Sequence, residues 1–302
     1  MPAALEIEGV RFTSPDRVVF PGQGITKRGL ADYYLAVAPW ILAAIEDRPL
    51  TLLRCPRGQE QQCFIQRKAG EGVPEAVLRV DIPPQDEEDE GATYLAVDSM
   101  AGLLGLVQIG VLELHSWGAR RDRLDRPDRM VIDLDPDERL PFEAVTEAAG
   151  KVRDRLRVAG LVPFVMTTGG KGLHVVVPLR RTADWDTVKE GARAIAEGLE
   201  AEDGTRFVAH AAKAARKGKI YVDYLRNGFG STSINAYSTR AKPGAPVATP
   251  VSWEELEAGA RPADFDVTSV PVRLKELEKD PWADYRTSAR SLSREVSARL
   301  TR

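Results

Sequence analysis

Only two cysteines occur in the 302 residues, Cys55 and Cys63, eight apart with no histidine nearby. That spacing fits neither a zinc knuckle nor a disulfide framework, so both read as core or near-surface thiols. No apolar run approaches the roughly 20 residues a membrane span needs. The N-terminus, Met1-Pro-Ala-Ala-Leu-Glu-Ile-Glu, carries acids in place of the apolar stretch of a secretory signal, which points to a cytoplasmic protein with no membrane partner. Internal repeats are absent, and the acidic loop Asp86-Glu87-Glu88-Asp89-Glu90 is the one low-complexity stretch. Nor is there an excess of positive charge. A net charge of −3 and a pI near 5.8 argue against a protein that coats nucleic acid indiscriminately.

What is present is ordinary in bulk and unusual locally. Hydrophobic residues make up 43% and charged residues 29%, as in a soluble globular enzyme, and the length permits one large domain or two lobes. Within that acidic protein, Arg206 to Lys219 holds Arg206, Lys213, Arg216, Lys217 and Lys219 with no acid among them. Such a segment can hold phosphates or can simply be a solvated face.

Capping and periodicity place the elements. Thr26 caps a helix from Lys27 with Leu30, Tyr33, Tyr34 and Val37 on its apolar face, and Pro39 interrupts it. Strands are predicted at Pro49–Arg54, Cys63–Gln66 and Val111–His115, with a short helix capped by Asp98 or Ser99 between the last two. From Met130 the pattern becomes strand, helix, strand, strand, followed by a helix capped by Asp184. Ser252 and Glu255 form a capping box further on. The segment after Pro281 reads as polar and peripheral.

Three acids interrupt strand-like segments. Asp133 and Asp135 lie in Met130-Val131-Ile132-Asp133-Leu134-Asp135, and Asp223 in Ile220-Tyr221-Val222-Asp223-Tyr224. Side chains alternate along a strand, so Asp133 and Asp135 share a face while Ile132 and Leu134 fill the other. Paired carboxylates repel and are costly to bury, so they must be protonated, exposed or neutralised, and a hard divalent cation neutralises them most completely. A solvated edge strand or an Asp-Pro turn is the plainer alternative, as is a capping role for Asp223. Were the two strands neighbours, three carboxylates would converge, the arrangement that holds two metals in phosphoryl transfer.

A second group is Thr167-Thr168-Gly169-Gly170-Lys171-Gly172-Leu173-His174. Its glycines let the backbone approach an anion beside the Lys171 ammonium, although the spacing is not that of a Walker A loop and a hairpin turn explains it too. His174 falls on the strand face opposite Leu173, Val175 and Val177. His115 alone reads as a structural histidine. Arg226 and Arg240 could hold a triphosphate, since arginine donates in pairs, and Phe64 and Trp117 are stacking surfaces if they are not core.

These residues, in order, resemble the polymerase domain of bacterial DNA ligase D, in the archaeo-eukaryotic primase superfamily. The likeness runs from about residue 10 to 290 through Ser14-Pro-Asp-Arg-Val-Val-Phe-Pro, Gly24-Ile-Thr-Lys, Arg48-Pro-Leu-Thr-Leu-Leu-Arg-Cys-Pro, Leu112-Glu-Leu-His-Ser-Trp, Val131-Ile-Asp-Leu-Asp-Pro, Thr168-Gly-Gly-Lys-Gly-Leu-His, Val222-Asp-Tyr-Leu-Arg-Asn and Tyr237-Ser-Thr-Arg-Ala-Lys-Pro. The resemblance implies a two-lobed α+β primase-polymerase fold whose catalytic antiparallel sheet is flanked by helices. The N-terminal lobe would run to about residue 95, the catalytic lobe over about 96–290, and residues 291–302 would form a polar tail.

By the same resemblance, Asp133, Asp135 and Asp223 would be catalytic and would bind two divalent ions, Mn2+ or Mg2+. His115, Thr168, Lys171, His174, Arg226 and Arg240 would hold a ribo- or deoxynucleoside triphosphate. Arg17 and Lys27 would recognise a DNA 5′-phosphate, and Phe64 would stack on the template. The implied activity is template-directed, ribonucleotide-preferring gap filling or end extension in nonhomologous end joining, with Ku and a DNA ligase as partners in the bacterial nucleoid. De novo priming is the nearest rival, a non-catalytic DNA-end-binding module comes from another class, and a metal-dependent phosphohydrolase is a third. Thr168 stands where the family more often has serine, and Arg17 where lysine is common. No ligase or 3′-processing nuclease sequence is present, so the chain reads as either an excised domain or a free-standing relative.

Overall fold

The computed structural model describes residues 5–84 and 90–300, so the acidic loop lies almost wholly outside the described residues. The chain forms two interleaved units: Met1–Asp122 with Ile234–Ala248 and Phe265–Glu276, and Arg123–Ser233 with Thr249–Asp264 and Leu277–Arg302.

In the first unit the strand Leu50–Arg54 pairs antiparallel with Ala92–Ala96 and Phe64–Gln66 and with Val111–Trp117. Leu78–Ile82 extends the sheet at one edge, and Thr232–Ile234, where the chain re-enters this unit, closes the other. Thr26 caps the helix Lys27–Ala36 by accepting from Gly29 N, and Pro39 falls in the first turn of the next, Ala38–Ile45. Ser99 caps Met100–Gln108. The apolar face anticipated for the first helix, Leu30, Tyr33, Tyr34 and Val37, is buried.

The second unit is built on a sheet ordered Phe207–Val208, Ile220–Asp223, Arg129–Pro136, Leu173–Pro178, Phe164–Thr167, Pro250–Val251. All its pairings are antiparallel except the first. Two helices, Phe142–Val158 and Trp185–Glu202, pack on it through Val145, Ala149, Val152 and Leu156 and through Val188, Ala192, Ile195 and Leu199. Met130 Cε would lie 3.1 Å from a β-carbon on Gly191 of the second helix. The helices therefore cover the sheet face of Met130, Ile132 and Leu134, and the opposite face is the one that carries Asp133 and Asp135.

The strand Val111–Trp117 belongs to the first unit through its ladder with Leu50–Arg54. Two expectations are corrected. The segment after Pro281 is not a peripheral tail. Trp282 stacks on Tyr285 at 4.9 Å beside Phe164, and buried Leu292 and Leu300, before and on the helix Arg294–Leu300, approach Gly191. Finally, Cys55 and Cys63 are joined in a disulfide, because the turn after Cys55 brings Cys63 back beside it as Phe64–Gln66 pairs with Leu50–Arg54.

Candidate active site

Register does what the alternation of apolar and acidic residues foreshadowed. Asp133 lies directly opposite His174 on one neighbouring strand and directly opposite Asp223 on the other, and Asp135 lies opposite Tyr221. One sheet face therefore carries all three acids and His174. The negative charge is countered from within the unit. Arg226 Nε lies 3.2 Å from Asp133 Oδ2 and 3.2 Å from Asp223 Oδ2, His174 Nε2 is 3.4 Å from Asp133 Oδ1, and Arg216 Nη1 is 3.4 Å from Asp135 Oδ2.

The two neighbouring carboxyls respond in opposite directions. Burial works to raise Asp133, but His174 and Arg226 outweigh it and hold the group below the usual carboxylate range. Asp135 is pushed up by burial and by repulsion from Asp133, only partly offset by Arg216 and Arg226. Arg226 is in turn held more firmly protonated: burial opposes its charge, and the two acids more than compensate.

Asn227, which the residue-level reading passed over, aims this arginine. Its amide mimics a strand residue, accepting from Val131 N at 2.8 Å and donating to Val131 O at 2.7 Å and Tyr224 O at 2.8 Å. The turn Leu225–Asn227 is thereby fixed to the strand of Asp133, and Asp223 Oδ1 accepts from Leu225 N at 2.8 Å. An asparagine closing Val222-Asp-Tyr-Leu-Arg-Asn, just past a strand, was the available signal.

Of the glycine-rich turn, Thr168 is buried and donates its hydroxyl to Gly172 O at 3.1 Å. Gly172 must be glycine, since a β-carbon there would meet Leu134 O at 2.5 Å. Lys171 is exposed, 3.5 Å from Glu138, and with Gly170, Pro136, Leu140, Phe142 and Arg261 lines a cavity of about 280 Å³.

Hard oxygen donors on one face suit a divalent cation by chemistry. Arg226 now sits against both Asp133 and Asp223, and among the described residues no three acidic, histidine or cysteine side chains stand gathered as a metal-holding group. A cation would compete with Arg226 for the same oxygens.

The first unit holds the other predicted residues in two groups. His115 Nε2 lies 2.9 Å and Arg240 Nε 3.1 Å from Oε2 of Glu113, a buried acid that sequence reasoning missed. Elsewhere, Arg17 donates to Pro56 O at 2.8 Å. Lys27 is buried, with Nζ donating to Thr13 O at 2.8 Å, Gln108 O at 3.1 Å and Gln108 Oε1 at 3.3 Å. Burial, aided by Arg17, lowers its pKa to about 8. Phe64 is 44% exposed with the Arg54 guanidinium over its ring, whereas Trp117 is buried at the edge of Tyr94, so of the two aromatics only Phe64 is open to stacking.

A mostly antiparallel sheet with acids on one face and helices on the other, beside a glycine-rich lysine turn, has the chemistry to hold metal ions and phosphates. The family model for the LigD primase-polymerase domain matches residues 26–282. The chain belongs to that family. It is 38% identical over 295 residues to the multifunctional non-homologous end joining protein LigD of Pseudomonas aeruginosa, covering 97% of this chain and 35% of that protein. It is 32% identical over 298 residues to the corresponding Mycobacterium tuberculosis protein, covering 94% and 39% respectively. The chain thus spans well under half the length of either relative. The polymerase domain of M. tuberculosis ligase D, solved in complex with DNA, matches with a TM-score of 0.84 at 30% identity, over 93% of this chain and 99% of that one.

Proposed function

We propose that this chain catalyses template-directed nucleotidyl transfer, filling gaps or extending ends at DNA double-strand breaks. A primer 3′-hydroxyl attacks the α-phosphate of a nucleoside triphosphate, a new phosphodiester forms, and pyrophosphate leaves. The observation that carries this reading is the register that sets Asp133 opposite Asp223 with Asp135 on the same face, in a chain of the LigD primase-polymerase family. Asp133, Asp135 and Asp223 would hold two divalent ions, Mn2+ or Mg2+, which lower the pKa of an attacking hydroxyl and offset the charge on the transferred phosphate.

Nucleotide binding is assigned to His115 and Arg240 in the first unit and to Thr168, Lys171, His174 and Arg226 in the second. Arg17 and Lys27 are assigned to a 5′-phosphate on DNA, with Phe64 stacking on the template. The relatives' names speak of non-homologous end joining; Ku and a DNA ligase as partners, and the bacterial nucleoid as the place of work, are proposed with that role. No helix among the described residues is long and apolar enough to cross a membrane.

A gap-filling assay on a 5′-phosphorylated gapped duplex, run with ribo- and deoxynucleotides under Mn2+ and under Mg2+, tests this. Template-directed addition, faster with ribonucleotides and Mn2+, is expected. Triphosphate hydrolysis with no elongated strand would overturn the proposal.

A further inference from the structure

Glu113 is an acid in an unlikely place. It sits on the strand Val111–Trp117 with its side chain 7% exposed, where an ionised carboxylate is costly unless fully partnered. It is fully partnered. Oε1 accepts from Ala241 N at 2.9 Å, and Oε2 is shared by His115 Nε2 at 2.9 Å and Arg240 Nε at 3.1 Å. Burial alone would raise its pKa, but His115, Arg240 and the Ala241 amide outweigh that and bring it down to about 2. It is ionised at any working pH.

The segment that delivers Arg240 is itself stitched to the same strand. Asn235 N donates to Leu114 O at 2.9 Å, Leu114 N donates to Ser238 Oγ at 2.9 Å, and Ser116 donates to Asn235 Oδ1 at 2.8 Å. Tyr237 adopts φ of 64°, a left-handed conformation that a tyrosine holds only under such constraint. Its carbonyl accepts from Tyr33 at 2.8 Å. Rigid backbone on both sides thus converges on one carboxylate.

We propose that Glu113 is a positioning residue that locks His115 and Arg240 into a single phosphate-binding pair for the nucleoside triphosphate. This rests on the nucleotide assignment made above and deepens it. An ionised carboxylate only accepts, so it fixes the hydrogen of His115 on Nε2 and sets the ring plane, as carboxylates do for other functional histidines. It holds Arg240 as an ion pair, with Nε 3.1 Å from Oε2, which keeps the guanidinium beside the carboxylate. The pair would then take a phosphate through the terminal nitrogens of Arg240 and, in the imidazolium form that the Glu113 carboxylate favours, through the Nδ1 hydrogen of His115.

The test is steady-state ATP incorporation by the full chain on a gapped duplex with Mn2+, comparing wild type, Glu113→Gln, the double variant H115A/R240A, and the triple variant. Glu113→Gln keeps the shape and loses the charge. KM for ATP is expected to rise about tenfold with kcat within about threefold, the pattern of lost uniform binding. In the H115A/R240A background the same change is expected to add nothing, because Glu113 acts only through those two residues. A role confined to folding would lower apparent kcat through loss of active enzyme, leave KM unchanged, and do so in either background.

An unchanged KM in Glu113→Gln, alongside a raised KM in H115A/R240A, overturns the positioning role and leaves the nucleotide assignment standing. An unchanged KM in H115A/R240A overturns both. Should Glu113→Gln melt below the assay temperature, Glu113→Asp replaces it. That variant keeps the charge but draws it back by one methylene, so KM is expected to rise about threefold, and an unchanged KM again overturns the proposal.

Discussion

Lys27 illustrates how much a single residue's surroundings decide. Its ammonium is buried with three acceptors, all within one unit, and burial with Arg17 nearby brings the pKa to about 8. Below pH 8 the folded protein carries the charge, and between about 8 and the ordinary 10.5 it has shed a proton that the unfolded chain keeps, so folding stability rises with pH across that window. Recognition of a 5′-phosphate should move the other way. We expect the preference for 5′-phosphorylated over unphosphorylated gapped duplex, measured by gel shift, to fall several-fold between pH 7 and 9. The phosphate itself is no less charged at the higher pH, so a constant ratio would remove Lys27 from the site. At this scale the three aspartates were legible because each breaks an apolar run. Glu113 was not, since its burial depends on Arg240 and on Ala241, 128 residues away in sequence.

At the scale of elements, caps and periodicity foretold the helices at Lys27, Met100, Trp185 and Trp253 closely, because the signals are local. Strand partners were another matter. The disulfide was missed because it follows from which strand pairs with Leu50–Arg54. The strand Leu173–Pro178 shows how tightly the site depends on such pairing. Gly172, at its start, leaves no room for a β-carbon against Leu134 O, one residue from Asp133. Gly172→Ala should therefore push these two backbones apart. We expect a loss of about 1–3 kcal/mol in a urea melt together with a marked loss of strand extension. A variant as stable and active as wild type would show that the close approach does not matter.

For the molecule as a whole, the chain crosses between its two units repeatedly, leaving the first at Asp122, returning over Ile234–Ala248 and again over Phe265–Glu276. Neither unit is a contiguous stretch, and the crossings deliver Asp223 to the second and Arg240 to the first. What unites the account is the claim that Asp133, Asp135 and Asp223 work as one metal-holding set, with Arg226, Arg216 and His174 set against their charge. The most direct measurement is single-turnover extension of a primer on gapped duplex under Mn2+ by Asp133→Ala and Asp223→Ala, with thermal melts confirming the fold. The account predicts a loss of at least about a thousandfold in both variants with melting near that of wild type. Extension within a few-fold of wild type in either would contradict it.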